Sequence, residues 1–142
     1  MEFPFSIIVN SETETAKVVK LFFNEVNPGN VIALNGNLGS GKTFFIKKFC
    51  QMLGINDADS PTFSIINEYA GDVPVYHFDF YRINRLEELY DIGIDEYIYN
   101  SEAIKFIEWA ELMPEVLPSK HFEIKLEFIN NSSRKISIMK HD

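Results

Sequence analysis

Arginine and cysteine are scarce in this sequence. Its 142 residues include one cysteine, Cys50, and three arginines, Arg82, Arg85 and Arg134. A lone cysteine closes no internal disulfide and cannot build a cysteine-based zinc site, so a reducing, cytoplasmic setting is expected. No apolar run approaches the roughly 20 residues of a membrane-spanning helix. The opening MEFPFSIIVN has neither a basic segment nor a long apolar one, so neither a secretory leader nor a membrane partner is expected. Positive charge is in deficit as well: 13 Lys and Arg face 21 Asp and Glu, a net charge of −8. Such a chain repels phosphate backbones, which argues against direct non-specific nucleic-acid binding. An anionic ligand needs a focused local site. Repeats, low-complexity tracts and dividing linkers are also missing, so residues 1–142 are expected to form a single domain.

Hydrophobic residues, at 46% of the chain, supply enough material for one packed core. FSIIV (Phe5 to Val9) has the pattern of a short strand. SETE (Ser11 to Glu14) has capping-box spacing, and Val18, Val19, Phe22 and Val26 follow at helical spacing until NPGN interrupts them. VIAL (Val31 to Leu34) is a continuous apolar run, the pattern of a strand buried on both faces. A helix is predicted from about Lys42, with Gly54 placed as its terminating glycine. FSIINEY (Phe63 to Tyr69) and VPVYHFDF (Val73 to Phe80) flank a turn, and Asn84 is placed to cap a helix running to Gly93. AIKFIEW (Ala103 to Trp109) is another buried-strand candidate. HFEIKLEFI and RKISIMK surround NNSS, which predicts a C-terminal antiparallel hairpin. The expected fold is α/β: a mixed, mostly parallel sheet flanked by helices, of the P-loop type, closing with that hairpin.

GNLGSGKT, Gly36 to Thr43, fits G-x-x-x-x-G-K-[ST] in full, between a buried strand and a helix. Wrapping a phosphate requires several inward N–H groups, in conformations that glycine adopts most easily. The segment Gly36, Asn37, Leu38, Gly39, Ser40 and Gly41 meets that need. The following helix turns its free N–H groups and positive dipole end toward the anion. Lys42 can reach the β- and γ-phosphates, and the Thr43 hydroxyl can ligate Mg2+. This local site resolves the conflict with the negative net charge. N-K-x-D and D-x-x-G are both absent, so guanine specificity has no support and ATP is the expected nucleotide.

VYHFDFYR places Asp79 at the end of an apolar strand, and KFIEW places Glu108 at the end of another. In a parallel sheet, strand carboxyl ends converge on the ligand crevice. Two carboxylates there can hold Mg2+ and orient a water. A small-molecule P-loop kinase is the first rival, although three arginines are few for a lid and an acceptor site. A nucleotide-dependent binding module is the second rival, and it would not need the Asp79 and Glu108 carboxylates.

GNLGSGKT, SPTFSIINEY, HFDFYR, LEELYDIGIDEY and the IEWAE segment, in this order and spacing, resemble the TsaE (YjeE) family over roughly Glu12 to Pro118; the hairpin fits more loosely. The resemblance implies an ATP-hydrolysing protein needed for threonylcarbamoyladenosine at position 37 of tRNAs that read codons starting with A. It implies TsaD and TsaB as partners, with tRNA met only through their complex. Carried over to this sequence, it makes Thr43 and Glu108 the Mg2+ ligands and Asp79 the residue that positions or activates the attacking water. Ser60 to Phe63 becomes a switch-like loop with the Thr62 hydroxyl near the γ-phosphate. Residues around Ser11 and Glu12, and the turn from Ser132 to Arg134, fall near the nucleoside end. The partner complex docks near Ser60 to Phe63 and the DFYR strand end.

Other side chains have plainer expectations. Cys50 is expected in the core; Trp109, next to Glu108, is expected either to pack near the nucleotide or, more in keeping with its size, in the core; His121 and His141 are expected at the surface. His77 either tunes Asp79 or makes a structural hydrogen bond. Tyr81 and Arg82 are candidate partner or site contacts, with a charge-paired surface role open for Arg82. Glu87, Glu88, Asp91, Asp95 and Glu96 are expected to form a mostly solvated acidic face, with a basic partner as the alternative.

Overall fold

A computed structural model describes residues 1–37, 39–58 and 65–142. Leu38, Ser60, Thr62 and Phe63, and so the whole expected switch segment, lie outside the described residues. The elements in chain order are β1 (Phe5–Val9), α1 (Glu12–Phe23), β2 (Val31–Gly36), α2 (Lys42–Gln51), β3 (Ile66–Tyr69), β4 (Val75–Asp79), α3 (Leu86–Asp91), α4 (Ile94–Ile98), β5 (Ile104–Glu108), β6 (His121–Phe128) and β7 (Arg134–His141). Two 3-10 turns, Ala110–Leu112 and Pro114–Val116, join β5 to β6.

The strands form one sheet in the order β1-β7-β6-β2-β5-β4-β3. The four central strands, β6, β2, β5 and β4, are mutually parallel. Antiparallel pairing is confined to the outside, where β7 joins β6 and β1, and β3 joins β4. This is the expected mixed sheet with a parallel centre and a C-terminal hairpin.

The unbroken apolar run of β2 follows from its two buried faces. Ile32 and Leu34 pack into a core beneath α1 and α2, while Val31 and Ala33 pack into a second core beneath α3 and α4. The first core is rich in phenylalanine: Phe22 meets Phe122 edge-on at 5.2 Å, and Phe49 meets Phe106 at 5.0 Å between centroids. Burying each such ring contributes about 1.5–3 kcal/mol. Cys50 is fully buried here, as expected, and burial pushes its thiol pKa up to about 12.

Local chemistry fixes the helix ends. The Ser11 Oγ accepts the Glu14 N–H at 3.1 Å, and the Glu14 carboxylate accepts the Asn10 N–H at 3.3 Å, which completes a reciprocal cap. At the carboxyl end of α2, Gly54 (φ 78°) donates to the Gln51 carbonyl at 3.1 Å, and Ile55 donates to the Cys50 carbonyl at 3.0 Å. That hydrogen-bond pair is a Schellman closure with Gly54 at its left-handed position. The α3 region departs from expectation. Asn84 does not cap a helix: Arg85 holds the cap position without a side-chain hydrogen bond, and the helix stops at Asp91. Ile83 is buried, which keeps the chain tied to the core one residue before Asn84. Gly93 (φ 74°) then turns the chain, so that Ile94 and Ile98 of the separate α4 also reach the second core. Glu87, Asp91, Asp95 and Glu96 are solvated, as expected. Among the described residues no helix is long and apolar enough to cross a membrane.

Candidate functional site: a P-loop beneath three strand ends

β2, β5 and β4 end side by side. Leu34 pairs with Glu108, and Glu108 pairs with Asp79. The glycine-rich loop leaves β2 at Gly36 and enters α2 at Lys42, with Gly39 at φ 80° and Gly41 at φ 104°. Side-chain-bearing residues rarely adopt those two values, and a Cβ on either glycine meets no atom within 4 Å, so conformation rather than space calls for glycine there. Gly36 is different. A Cβ on it would come within 2.6 Å of the Leu126 carbonyl and 2.5 Å of the Ser40 hydroxyl, so close approach demands glycine.

Lys42 does not stand open to solvent: it is buried, at 5% exposure. Its ammonium donates to the Gly36 carbonyl at 2.6 Å and lies 3.9 Å from the centroid of the Trp109 ring. Burial lowers its pKa, against the opposing pull of Glu108, Glu111 and Asp79. Trp109 therefore belongs to the site, not to the core interior alone. Its backbone is left-handed at φ 60°, an unusual conformation for an aromatic residue, and it stands directly after Glu108. Tyr81 packs on the same ring at 5.0 Å and donates its backbone N–H to Asp79 Oδ1 at 3.0 Å. Of the two expected roles of Trp109, the one beside the ligand site is realised; nothing in the sequence pattern betrays the positive φ that turns the ring there.

A cavity of about 380 Å³ is lined by Lys42, Thr43, Asp79, Tyr81, Glu108 and Trp109. Thr43 is exposed, Asp79 half-buried and Glu108 buried. His77 resolves its two expectations toward Glu108: its Nε2 lies 2.7 Å from Glu108 Oε2 in a buried pair. Among the described residues no group of three or more His, Cys, Asp or Glu side chains could hold a metal unaided. A nucleotide-borne Mg2+ asks for less, since phosphate oxygens and waters fill most of its octahedron. One hydroxyl and one carboxylate beside a phosphate loop suit that requirement.

A second cavity, about 330 Å³, opens on the other side of the loop and shares Gly41 and Phe44 with the first. Ser11, Glu12, Ser132 and Arg134 line it, together with Ser40. Arg134 reaches the loop itself, donating to the Gly39 carbonyl at 3.3 Å, and it anchors its own turn through the Asn130 and Ser133 carbonyls at 2.7 and 3.0 Å. Phe44, which the motif reading passed over, is the apolar element between the two cavities. Asn37 is exposed at the loop tip, and Arg82 is exposed beyond the end of β4. His121 and His141 are half-buried and stacked at 4.5 Å, away from both cavities.

The sequence matches the family model for threonylcarbamoyl adenosine biosynthesis protein TsaE over residues 9–136. It is 41% identical over 131 residues to the tRNA threonylcarbamoyladenosine biosynthesis protein TsaE of Bacillus subtilis, covering 91% of this chain and 80% of that one. Against the protein of the same name from Rickettsia conorii it is 40% identical over 137 residues, covering 92% and 75%. The fold matches the crystal structure of Bacillus subtilis YdiB with a TM-score of 0.80 at 33% identity, covering 100% of this chain and 88% of that one. The chain belongs to the TsaE family.

Proposed function

We propose that this chain is a Mg2+-dependent ATPase acting in the biosynthesis of threonylcarbamoyladenosine at position 37 of tRNAs that read codons starting with A. The observation that carries the ATPase reading is the shared cavity in which a P-loop lysine, a P-loop threonine and the terminal carboxylates of two adjacent parallel strands meet. Family membership supports the pathway.

In this reading the triphosphate lies along the loop from Gly36 to Thr43, and the nucleoside occupies the cavity between Glu12 and Arg134. Lys42 exchanges the Gly36 carbonyl for β- and γ-phosphate oxygens. Thr43 and Glu108 hold Mg2+, which neutralises phosphate charge when bound. Asp79 orients the attacking water, with its carboxylate fixed by the Tyr81 N–H. The water oxygen bonds to the γ-phosphorus as the bond to the β-phosphate oxygen breaks, giving ADP and phosphate. The partners are TsaD and TsaB, docking near residues 60–63 and the Asp79–Arg82 strand end, with Ser60 and Thr62 in the switch role. With a net charge of −8, the chain meets tRNA through that complex; its lone cysteine suits work in a reducing cytoplasm.

The test is phosphate release from ATP by the purified chain, alone and with TsaD and TsaB, with and without Mg2+. The reading expects slow, Mg2+-dependent release that the partners accelerate. Tight nucleotide binding with no release under any of these conditions would overturn the ATPase assignment. So would transfer of the γ-phosphate to a small-molecule acceptor in place of water.

A further inference from the structure

The pair formed by His77 and Glu108 is buried, short and chemically lopsided. His77 is 2% exposed and Glu108 5%. The imidazole Nε2 is 2.7 Å from Glu108 Oε2, while Nδ1 is buried without a hydrogen-bond partner. An ionised carboxylate only accepts hydrogen bonds, so the proton of this contact sits on Nε2. A proton on Nδ1 would be buried unsatisfied, so the neutral Nε2–H tautomer costs least. No described residue donates to the other carboxylate oxygen, Oε1. The surroundings fix the ring as well: His77 lies in β4 opposite Phe106 of β5, with Tyr69 of β3 packed on it at 6.4 Å.

We propose that His77 is a positioning residue: its Nε2–H holds Glu108 Oε2 so that Oε1 is presented to a divalent cation on the bound nucleotide. The arrangement has the chemistry of an outer-shell partner, in which a donor fixes the orientation of a ligating carboxylate and its loss typically weakens metal affinity by about 10–100-fold. The inference rests on the assignment of Glu108 as a Mg2+ ligand.

The experiment compares His77→Gln with His77→Asn. Glutamine can carry an amide N–H to about the place of Nε2, whereas asparagine is too short to reach Glu108. Both are uncharged amides, and the thermal midpoints report the extra cavity that the shorter asparagine leaves. ADP affinity is measured by calorimetry across a Mg2+ titration and in EDTA, with thermal midpoints recorded alongside. The expected result is that Asn raises the Mg2+ concentration needed for half-maximal tightening by about tenfold or more, Gln by less than about threefold, and neither changes affinity in EDTA. Equal Mg2+ requirements in wild type and both variants would overturn this inference alone, as would equal losses with and without Mg2+. A wild-type affinity indifferent to Mg2+ overturns the metal assignment and this inference with it. Should the Asn variant fail to fold, His77→Leu takes its place, and Mn2+ affinity of the ADP complexes is read by electron paramagnetic resonance: weakened Mn2+ binding in His77→Leu with near wild-type binding in His77→Gln supports the role, and equal Mn2+ affinity in all three proteins contradicts it.

Discussion

The ammonium of Lys42 lies over the ring of Trp109, 3.9 Å from its centroid, and is tied to the Gly36 carbonyl at 2.6 Å. The phosphate-binding lysine thus has substitute partners inside its own loop. The cation–π contact and the hydrogen bond stabilise the buried ammonium, whose pKa burial lowers against the pull of Glu108, Glu111 and Asp79. Anionic phosphate oxygens compete directly for the same donor.

Trp109 is the chain's single tryptophan, so tryptophan fluorescence reports on this one ring and its surroundings, the Lys42 contact among them. Adding ATP or ADP with Mg2+ is expected to shift its emission as the lysine leaves the ring. Lys42→Met should show an altered emission before any ligand is added and little further change on titration. An emission spectrum unaffected by nucleotide in the wild type contradicts the exchange.

Lys42→Ala is expected to lower ATP turnover by at least about 100-fold, in line with the loss of one preorganised charge on the transferring phosphoryl group. Loss of the Gly36 hydrogen bond and the Trp109 contact is partly offset by removing a buried charge, so stability should fall by no more than about 1–3 kcal/mol. Steady-state phosphate release and a urea unfolding curve check both halves. A folded variant with wild-type turnover refutes the role of Lys42.

Asp79→Asn and Glu108→Gln should separate chemistry from metal binding. The first should keep Mg2+-dependent nucleotide affinity within a few-fold and reduce turnover by about 10²–10⁴-fold. The second should weaken affinity mainly when Mg2+ is present. Calorimetry paired with turnover assays distinguishes them, and identical profiles for the two variants would show that the carboxylates do not have separate roles.

Much of this site was legible because the P-loop is a local code: residues 36–43 carry their own conformational requirements, and the flanking apolar runs announce a buried strand and a helix. Asp79 and Glu108 could be placed because parallel strands with apolar interiors bring their carboxyl ends together. What escaped notice depends on distant contacts. Lys42 is covered by Trp109, 67 positions away, and only a left-handed backbone at Trp109 turns the ring there. The choice of His77 between Asp79 and Glu108 depends on the register of β4 against β5, which alternation within one strand does not specify. The division of α3 from α4 reflects Ile83, Ile94 and Ile98 each reaching the core, a tertiary demand that outweighs the cap-forming tendency of Asn84.

At the opposite end of β5, Lys105 is fully buried and donates to the carbonyls of Gly29, Asn100 and Ala103 at 2.9, 2.6 and 3.1 Å. Lys105→Met leaves these carbonyls without that donor and should cost about 2–4 kcal/mol. Burial lowers the lysine pKa from 10.5 to about 8. Between those values the unfolded chain binds more protons than the folded one, so this group's contribution to stability rises with pH across that window; below about pH 8 its burial penalty is fully present. The stability gap between wild type and Lys105→Met should therefore widen from pH 7.5 to 10 in denaturant titrations. A gap that narrows contradicts the assignment.

The central claim is that nucleotide turnover at this P-loop supports threonylcarbamoyladenosine formation through TsaD and TsaB. The most direct measurement is multi-turnover formation of the modified nucleoside on tRNA by purified components, with this chain, with its Lys42→Ala variant, and without either. The account predicts sustained product accumulation only with the wild-type chain. Equal accumulation in all three reactions would contradict it.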